Sequence, residues 1–422
     1  MTKIFPFDYD QHDYPNGLRL ITVPTGFPHI VSLYIVVHVG SRNETEAGKS
    51  GFAHLFEHMM FRGTAMYPPE RYESVLKQAG AAQNAYTDDD LTVYHTTFTR
   101  EDLPQILEME ADRFANLEYG EEVFRTEARA VLAEYNKDSA EPFHLLHEKL
   151  REASFAGHPY RHTTMGFLRD IERMPELYEF SRQFHRRYYR PENTTMIVAG
   201  DVEVATTRKL VEASWGGWAR GGFVDVIPEA LPLGGPKDVV VDWPSETLPV
   251  LQVAYRTPAY SDVTLESAAL DILSYLYFSS SSALYEELVL VDQCCDVFFG
   301  IYADHVDPYL YVVTARVKDA ARVEDVRRRV AETVELMKAE VVDAGRLETV
   351  KSHLRYGFAM RMDHTDGIAG LLARYVALKR TPETINRLYE QYARVTAEDL
   401  QRVARAYFVE ENRVTALLRS EV

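Results

Sequence analysis

Two segments of the chain place apolar and polar residues with the period of an amphipathic helix. The first surrounds residues 54–58, where Ser50 is suited to begin the helix and Gly63 to end it. The second covers residues 121–138. Its apolar positions are Val123, Phe124, Ala128, Val131, Leu132 and Tyr135. We therefore predict two amphipathic helices in the first third of the chain.

Strand-like segments occur in two similar sets. Residues 30–38, rich in Val, Ile and Tyr, have a counterpart at residues 248–255. A Glu-Asn turn that ends at Asn193 precedes an apolar strand, and a similar turn and strand recur 219 residues later at Asn412. Two copies of one unit explain this pattern. The predicted fold class is α+β, with two homologous domains of similar α/β-sandwich fold, each a mixed β-sheet packed by helices.

The boundary between the two copies is predicted from Gly and Pro residues. They are concentrated in residues 215–236, which we interpret as a linker. The predicted domains are therefore residues 1–214 and residues 237–422. A length of 422 residues suits two domains of about 200 residues each.

The first amphipathic helix carries a pattern with chemical meaning. His54 and His58 are four residues apart, and Glu57 directly precedes the second histidine. Residues i and i+4 are roughly 5–6 Å apart on one helix face, so both imidazoles can reach one tetrahedral zinc ion. Glu57 is placed to take a proton from water at that ion. The second helix carries Glu127 and Glu134 two turns apart, and Glu134 lies 76 positions after His58. A solvated pair of histidines is the alternative interpretation.

These residues resemble the inverzincin zinc peptidases, the family of pitrilysin, insulin-degrading enzyme and mitochondrial processing peptidase. The family signature is HxxEH followed at a similar distance by a ligand glutamate. The flanking residues 51–53 and 59–64 also resemble the family segment. The resemblance implies a duplicated fold that forms half of a clamshell chamber. The second-copy equivalent of the metal helix, at residues 272–278, contains no His and no Glu, so the second domain is expected to form a wall of that chamber.

The resemblance assigns roles to five residues. It implies one zinc ion per chain, bound by His54, His58 and Glu134. It implies that Glu57 is the catalytic base and that Glu127 is a further catalytic carboxylate, which orients the site from outside the ligand shell. The expected function is that of a zinc-dependent metalloendopeptidase that hydrolyses peptides within an enclosed chamber.

Residues 84–94 are similar to the edge strand that lies beside zinc in this family. A peptidase that accepts varied peptides can bind them as an added β-strand. We therefore expect Asn84, Ala85 and Tyr86 to bind substrate, with Asn84 contacting the peptide backbone. An ordinary half-buried strand is the alternative.

The second half departs from the family pattern. Members that act with one kind of chain usually carry an Arg and, seven residues later, a Tyr, which hold the peptide carbonyl and the developing oxyanion. Val289 and Asp296 occupy these two positions here. By resemblance, this chain is expected to be the zinc-bearing subunit of a heterodimer, with the Arg/Tyr pair on a second homologous subunit. The alternative is a homodimeric oligopeptidase that uses other donors, such as Arg256, Tyr255 or Tyr260.

Two further functions are compatible with the same fold. One is a maturation peptidase dedicated to a single peptide, which would share the chemistry. The other is a non-catalytic assembly subunit, which would normally show an eroded HxxEH motif, whereas the motif is intact here.

Composition limits the partners and the location. A formal net charge of −18 argues against a nucleic-acid surface, because phosphate contacts need clustered Lys and Arg. Cys294 and Cys295 are adjacent and cannot link distant segments. The sequence has no apolar run long enough to span a membrane and no apolar stretch typical of a signal peptide near Met1. We expect a cytoplasmic location, or a periplasmic one if a leader is removed.

Overall fold

The structure is a computed structural model that describes residues 3–421. Residues 3–135, 162–228 and 358–382 form one compact unit, and residues 136–161, 229–357 and 383–421 form the second. Two units were predicted, but the predicted boundaries at 1–214, 215–236 and 237–422 follow chain order and these units do not. The reason is that a segment from each half of the sequence packs on the sheet built mainly from the other half.

The elements are numbered in chain order. The strands are β1 (Asp10–Asp13), β2 (Arg19–Pro24), β3 (Ile30–Val37), β4 (Ala82–Thr87), β5 (Thr92–Thr99), β6 (Thr194–Gly200), β7 (Lys237–Trp243), β8 (Val250–Arg256), β9 (Cys295–Tyr302), β10 (Leu310–Val317) and β11 (Arg413–Ser420). The α-helices are α1 (Phe52–Met59), α2 (Pro69–Gln78), α3 (Leu103–Asn116), α4 (Glu121–Asp138), α5 (Pro142–Ser154), α6 (Leu168–Ile171), α7 (Tyr178–Tyr188), α8 (Val204–Trp215), α9 (Glu266–Phe278), α10 (Ala283–Tyr285), α11 (Val323–Ala339), α12 (Ala344–Ala359), α13 (Thr365–Lys379), α14 (Glu383–Arg394) and α15 (Ala397–Tyr407). A π-helical turn, Glu286–Val291, follows α10.

The first unit is built on a six-stranded mixed sheet in the order β1-β2-β6-β3-β5-β4. Strands β2 and β6 are parallel, and the other neighbours are antiparallel. Helix α1 contacts β4 and β5, whereas α13 contacts β3 and β6. Strand β4 is therefore an edge of the sheet, and the helix with the two histidines lies against it.

The second unit repeats this arrangement. Its five-stranded sheet has the order β7-β11-β8-β10-β9, and only β7 and β11 are parallel. Removing β1 from the first sheet leaves the same order and the same parallel pair. The predicted duplication and mixed sheets are confirmed. Helix α9 covers residues 272–278, where the second-copy counterpart of the metal helix was predicted, and it contacts the edge strand β9 as α1 contacts β4.

Two helices, α5 and α13, belong to the unit that is built mainly from the other half of the sequence. They explain where the predicted domain boundaries differ from the observed units. Helix α5 packs its buried Leu146 and Leu150 on β7 and β11 of the second sheet. Helix α13 packs on the first sheet, where Thr365 accepts a hydrogen bond from Ser32. Sequence order cannot reveal such pairings, because the local apolar pattern of a helix does not say which sheet it covers.

The segment between α8 and β7, residues 216–236, has no regular secondary structure, and the two units divide within it, after residue 228. Asp225 within it accepts hydrogen bonds from Asn43 and from the Tyr188 hydroxyl, at 2.7 and 3.0 Å. Within residues 3–421, none of the helices combines the length and the apolar character that crossing a bilayer requires.

Candidate metal centre

Helix α1 presents its two histidines on one face and the core on the other. Its apolar side chains are fully buried; they are Phe52, Ala53, Leu55, Phe56 and Met59. Phe56 stacks on Phe184 of α7, with ring centroids 5.4 Å apart, which fixes the rotation of the helix. The rings of His54 and His58 lie with their centroids 4.8 Å apart on the other face. The predicted i, i+4 geometry is therefore present.

Helix α4 brings a carboxylate to the two imidazoles. Glu134 Oε2 lies 3.7 Å from His54 Nε2 and 3.5 Å from His58 Nε2. Two donors on one tetrahedral zinc ion, each about 2.0–2.2 Å from the metal, are roughly 3.3–3.5 Å apart. All three donor atoms lie within 4.8 Å of one another, so a small closing movement of the side chains would bring them to one zinc ion. Among residues 3–421 they are the one group of His, Cys, Asp and Glu that converges in this way.

The protonation of His54 also suits a metal ligand. Burial, and to a smaller extent His58, lowers the pKa of His54 to about 4. The ring is therefore neutral at neutral pH and keeps a lone pair for a metal ion. Two imidazoles and one carboxylate are a donor set typical of catalytic zinc sites, which leave a fourth position open.

Glu127 lies beside Nδ1 of His58, the ring nitrogen other than the one nearest Glu134. Its Oε2 is 3.8 Å from His58 Nδ1, and its Oε1 is 2.9 Å from Arg62 Nη2. The Glu127 side chain is 6% exposed and that of Glu134 is 37% exposed, so the two acids of α4 occupy different environments. A carboxylate beside the second nitrogen of a ligand histidine sets the tautomer and the ring orientation.

Glu57 is held by a residue that the sequence did not single out. Thr87, the last residue of β4, donates a hydrogen bond to Glu57 Oε2 at 2.7 Å. Burial raises the pKa of Glu57, and the Thr87 bond opposes this rise. A carboxylate with a raised pKa is suited to general base catalysis near neutral pH. The sequence feature that could have indicated this role of Thr87 is its position at the end of a predicted edge strand beside the HxxEH motif.

The three predicted substrate-binding residues lie on β4 but face two sides of the sheet. Ala85 is buried towards α1, whereas Asn84 and Tyr86 are exposed on the opposite face. Asn84 Oδ1 accepts a hydrogen bond from the Ala85 amide. Within the described residues no strand pairs with the outer edge of β4, so its backbone groups there are open to an added strand.

The start of α1 differs from the prediction. Gly51, with a positive φ of 89°, occupies the N-cap position that was expected for Ser50. Glu44 accepts the amide hydrogens of Gly51 and Ala53, each at 2.7 Å, while Ser50 donates to Asp170 at 2.7 Å. The two side-chain oxygens of Glu44 therefore satisfy backbone amides at the start of α1 that have no partner within the helix. Burial raises the pKa of Glu44 to about 8.

In the second unit, two of the three residues considered as alternative oxyanion donors, Arg256 and Tyr260, already have hydrogen-bond partners. Arg256 donates to the Leu231 carbonyl, and the Tyr260 hydroxyl is hydrogen-bonded to Thr384. Asp296, where the family pattern would have a Tyr, accepts two hydrogen bonds from Arg316, both at 2.8 Å. These three groups are engaged in holding their own unit together.

Comparison with known proteins identifies the family. The model described as insulinase, peptidase family M16, matches residues 20–167. The model described as peptidase M16 inactive domain matches residues 178–354. The chain belongs to peptidase family M16. The match of the inactive-domain model to the second half agrees with the absence of His and Glu from residues 272–278.

Relatives in the M16 family cover almost the whole chain. A Helicobacter pylori protein named zinc protease PqqE is 26% identical over 96% of this chain and 91% of its own length. A probable mitochondrial-processing peptidase subunit beta from Schizosaccharomyces pombe is 22% identical, over 92% of this chain and 86% of its own. The crystal structure of a protease from Helicobacter pylori superposes with a TM-score of 0.91 at 25% identity, covering 98% of this chain and 99% of the other.

Proposed function

We propose that this chain is a zinc-dependent metalloendopeptidase that binds one zinc ion through His54, His58 and Glu134. The observation that carries the proposal is the convergence of these three donors, within reach of one tetrahedral ion, beside the half-buried carboxylate of Glu57. Membership of the M16 family and relatives that are named zinc proteases support it.

Each residue of the centre has a distinct task in this proposal. A bound zinc ion would polarise the scissile carbonyl and lower the pKa of water towards about 7. Glu57 takes a proton from the attacking water and delivers it to the leaving amine. Thr87 orients the Glu57 carboxylate, and Glu127 fixes the ring of His58.

The peptide is expected to bind along the outer edge of β4. Its backbone would pair with the outward-facing backbone groups in the stretch Asn84, Ala85 and Tyr86, which alternate along the strand, and this requires no particular side chain at every position. The Ala85 amide would exchange its bond to Asn84 Oδ1 for one to the peptide. The strand ends at Thr87, whose hydroxyl contacts Glu57, so a peptide in this register reaches the base. Backbone pairing of this kind suits a peptidase with several substrates.

We further propose that a second homologous subunit completes the active site, in a chamber of which the second domain here is a wall. The loss of an oxyanion donor typically costs about 2.7–4 kcal/mol of barrier, so Val289 and Asp296 leave this chain a poor catalyst by itself. The Schizosaccharomyces pombe relative is, by its name, one subunit of a processing peptidase, which is in line with a heterodimer. The homodimeric alternative needs donors other than Arg256 and Tyr260, which are already engaged.

The first test separates the base from the metal ligands. Glu57→Gln should abolish peptide cleavage and leave the zinc content unchanged, because the amide cannot accept the proton and Glu57 is not a ligand. His54→Ala and Glu134→Ala should lose zinc. Metal content and cleavage of a mixed peptide pool are measured on the same samples. A Glu57→Gln variant that still cleaves peptides would remove Glu57 from the role of base.

The second test addresses the partner. The purified, zinc-loaded chain is assayed alone and after addition of cell extract from its source, and the Glu57→Gln variant with the same extract gives the background of the extract. Activity that appears only with extract and the wild-type chain supports the heterodimer. Full activity of the chain alone contradicts it and favours a homodimeric oligopeptidase.

The cytoplasm is the proposed location, and the periplasm is the alternative. The two differ in whether a leader directs the chain across a membrane. Fractionation of source cells, followed by detection of the chain, distinguishes them. A periplasmic signal would overturn the cytoplasmic assignment.

A further inference from the structure

Arg62 lies one helical turn beyond His58, in the direction in which α1 ends. A 3₁₀-helical turn, Met60–Arg62, continues α1 directly. His54, His58 and Arg62 follow one another at intervals of four residues, and positions four apart share one side of a helix. The Arg62 guanidinium therefore borders the proposed metal centre. It has no lone pair for a metal ion, so its task there is a different one.

Arg62 is the cation that balances the charge of Glu127. Its Nη2 lies 2.9 Å from Glu127 Oε1, whereas Glu127 Oε2 lies 3.8 Å from His58 Nδ1. Within residues 3–421, no other Lys or Arg forms an ion pair with Glu127, and Glu127 is the one acid that pairs with Arg62. A carboxylate as buried as Glu127 is unfavourable without a partner, so Arg62 makes its charged form possible at this place.

The chain that follows Arg62 is fixed, which gives the guanidinium a defined place. Gly63 has a φ of 86°, and a Cβ at this position would lie 2.9 Å from the Tyr67 carbonyl oxygen. Thr64 Oγ1 accepts a hydrogen bond from the Tyr67 amide at 2.9 Å and donates one to Asp112 of α3. A side chain can orient a second one only if its own position is held by its surroundings, and this condition is met here.

The two oxygens of Glu127 have different neighbours, and this defines the orientation of the carboxylate. Because Oε1 is paired with Arg62, rotation of the carboxylate would break this ion pair, and Oε2 stays towards His58 Nδ1. A carboxylate beside Nδ1 keeps the imidazole proton on that nitrogen and leaves the lone pair of Nε2 for a metal ion. Nε2 is the atom of His58 that lies 3.5 Å from Glu134 Oε2, within the proposed ligand set.

We propose that Arg62 is a positioning residue that holds the Glu127 carboxylate against His58 Nδ1 and thereby orients the second zinc ligand. The inference rests on the proposed metallopeptidase function and adds one residue to its centre. An effect of charge alone is the competing explanation, and it has the opposite sign. A cation repels a nearby dication, so Arg62 acting only by its charge would weaken zinc binding, whereas a positioning role strengthens it.

A double-mutant cycle on zinc affinity tests this role. The Kd for zinc is measured by competition with a chelator for wild type, Arg62→Gln, Glu127→Gln and the double variant. Arg62→Gln should raise the Kd about threefold to tenfold, less than the 10–100-fold that is typical when a direct partner of a ligand is lost. The double variant should have the Kd of Glu127→Gln or a lower one, because Arg62 has no carboxylate left to hold.

Two further variants control for structural effects. Arg62→Lys keeps the cation and should restore most of the zinc affinity. Arg125→Gln removes an arginine of similar exposure, 52% against 44% for Arg62, from an ion pair of 2.7 Å with Glu121 on α4, and should leave the Kd unchanged. Cobalt(II) in place of zinc gives visible absorption bands that depend on the ligand arrangement. Arg62→Gln should shift these bands, and Arg125→Gln should not.

The results distinguish this inference from the proposed function. A Kd that Arg62→Gln leaves unchanged or lowers overturns the positioning role, and so does an equal loss of affinity in the wild-type and Glu127→Gln backgrounds. In both cases the wild-type chain still binds zinc, and the proposed metallopeptidase is unaffected. A wild-type chain that binds no zinc contradicts the proposed function, and the role of Arg62 with it.

Discussion

The hydrogen bond between Thr87 and Glu57 provides a quantitative test of the proposed base. Thr87→Val removes the hydroxyl and keeps the shape of the side chain, so Glu57 loses a bond of 2.7 Å to its charged form. Hydrogen bonds to charged groups contribute about 1.5–3 kcal/mol. Burial already raises the pKa of Glu57, and loss of this bond raises it further.

The expected effect depends on pH. Below the pKa of Glu57, the variant has less of the carboxylate form, and kcat/KM should fall to about one tenth of the wild-type value, which corresponds to 1.4 kcal/mol. At higher pH both proteins carry the carboxylate, and the ratio should return towards one. The acid limb of the profile belongs to Glu57 and the metal centre together, so it is compared between variants and is not assigned to one group.

The assay is the pH profile of kcat/KM for one peptide, measured with equal zinc content for wild type, Thr87→Val and Thr87→Ser. Thr87→Ser keeps the hydroxyl and should follow the wild type. A profile that Thr87→Val does not change, or that Thr87→Ser changes equally, would refute the assignment of this hydrogen bond.

Two other predictions concern groups behind the metal ligands. Glu127→Gln should weaken zinc retention about 10–100-fold in a chelator competition, because it removes the charge beside His58 Nδ1; unchanged retention would exclude this orienting role. Burial raises the pKa of Glu44 to about 8 in the folded chain, above its usual value of about 4.5, so the folded chain holds this proton more tightly than the unfolded chain. The contribution of Glu44 to the free energy of unfolding is therefore complete at low pH and is lost as pH rises from about 4.5 towards 8. The melting temperature of the metal-free Glu44→Gln variant should therefore depend less on pH over this interval than that of the wild type, and parallel profiles would contradict the raised pKa.

The part of the centre that local spacing determines could be predicted from the sequence. His54 and His58 are one helical turn apart, so their convergence follows from helix geometry alone. The approach of Glu134 could not be derived this way, because it depends on how α4 packs; the family resemblance supplied it. The duplicated sheet was also predictable, since its strands recur with similar patterns in both halves.

Contacts between segments distant in sequence were not predictable. Ser50 was expected to cap α1, but the positive φ of Gly51 turns the chain, and Glu44 accepts the amide hydrogens instead. A carboxylate seven residues before the N-cap residue Gly51 has no local signature that distinguishes it from a surface acid.

These long-range contacts have a common consequence for how the site works. The proposed reactive groups lie on α1 and α4, but residues from other segments hold them in place: Glu44 binds the start of α1, and Thr87 binds Glu57. A site in this arrangement can keep its zinc ligands while its supporting contacts change. The Thr87→Val variant examines this separation directly, because it should change the pH profile and leave the zinc content unchanged.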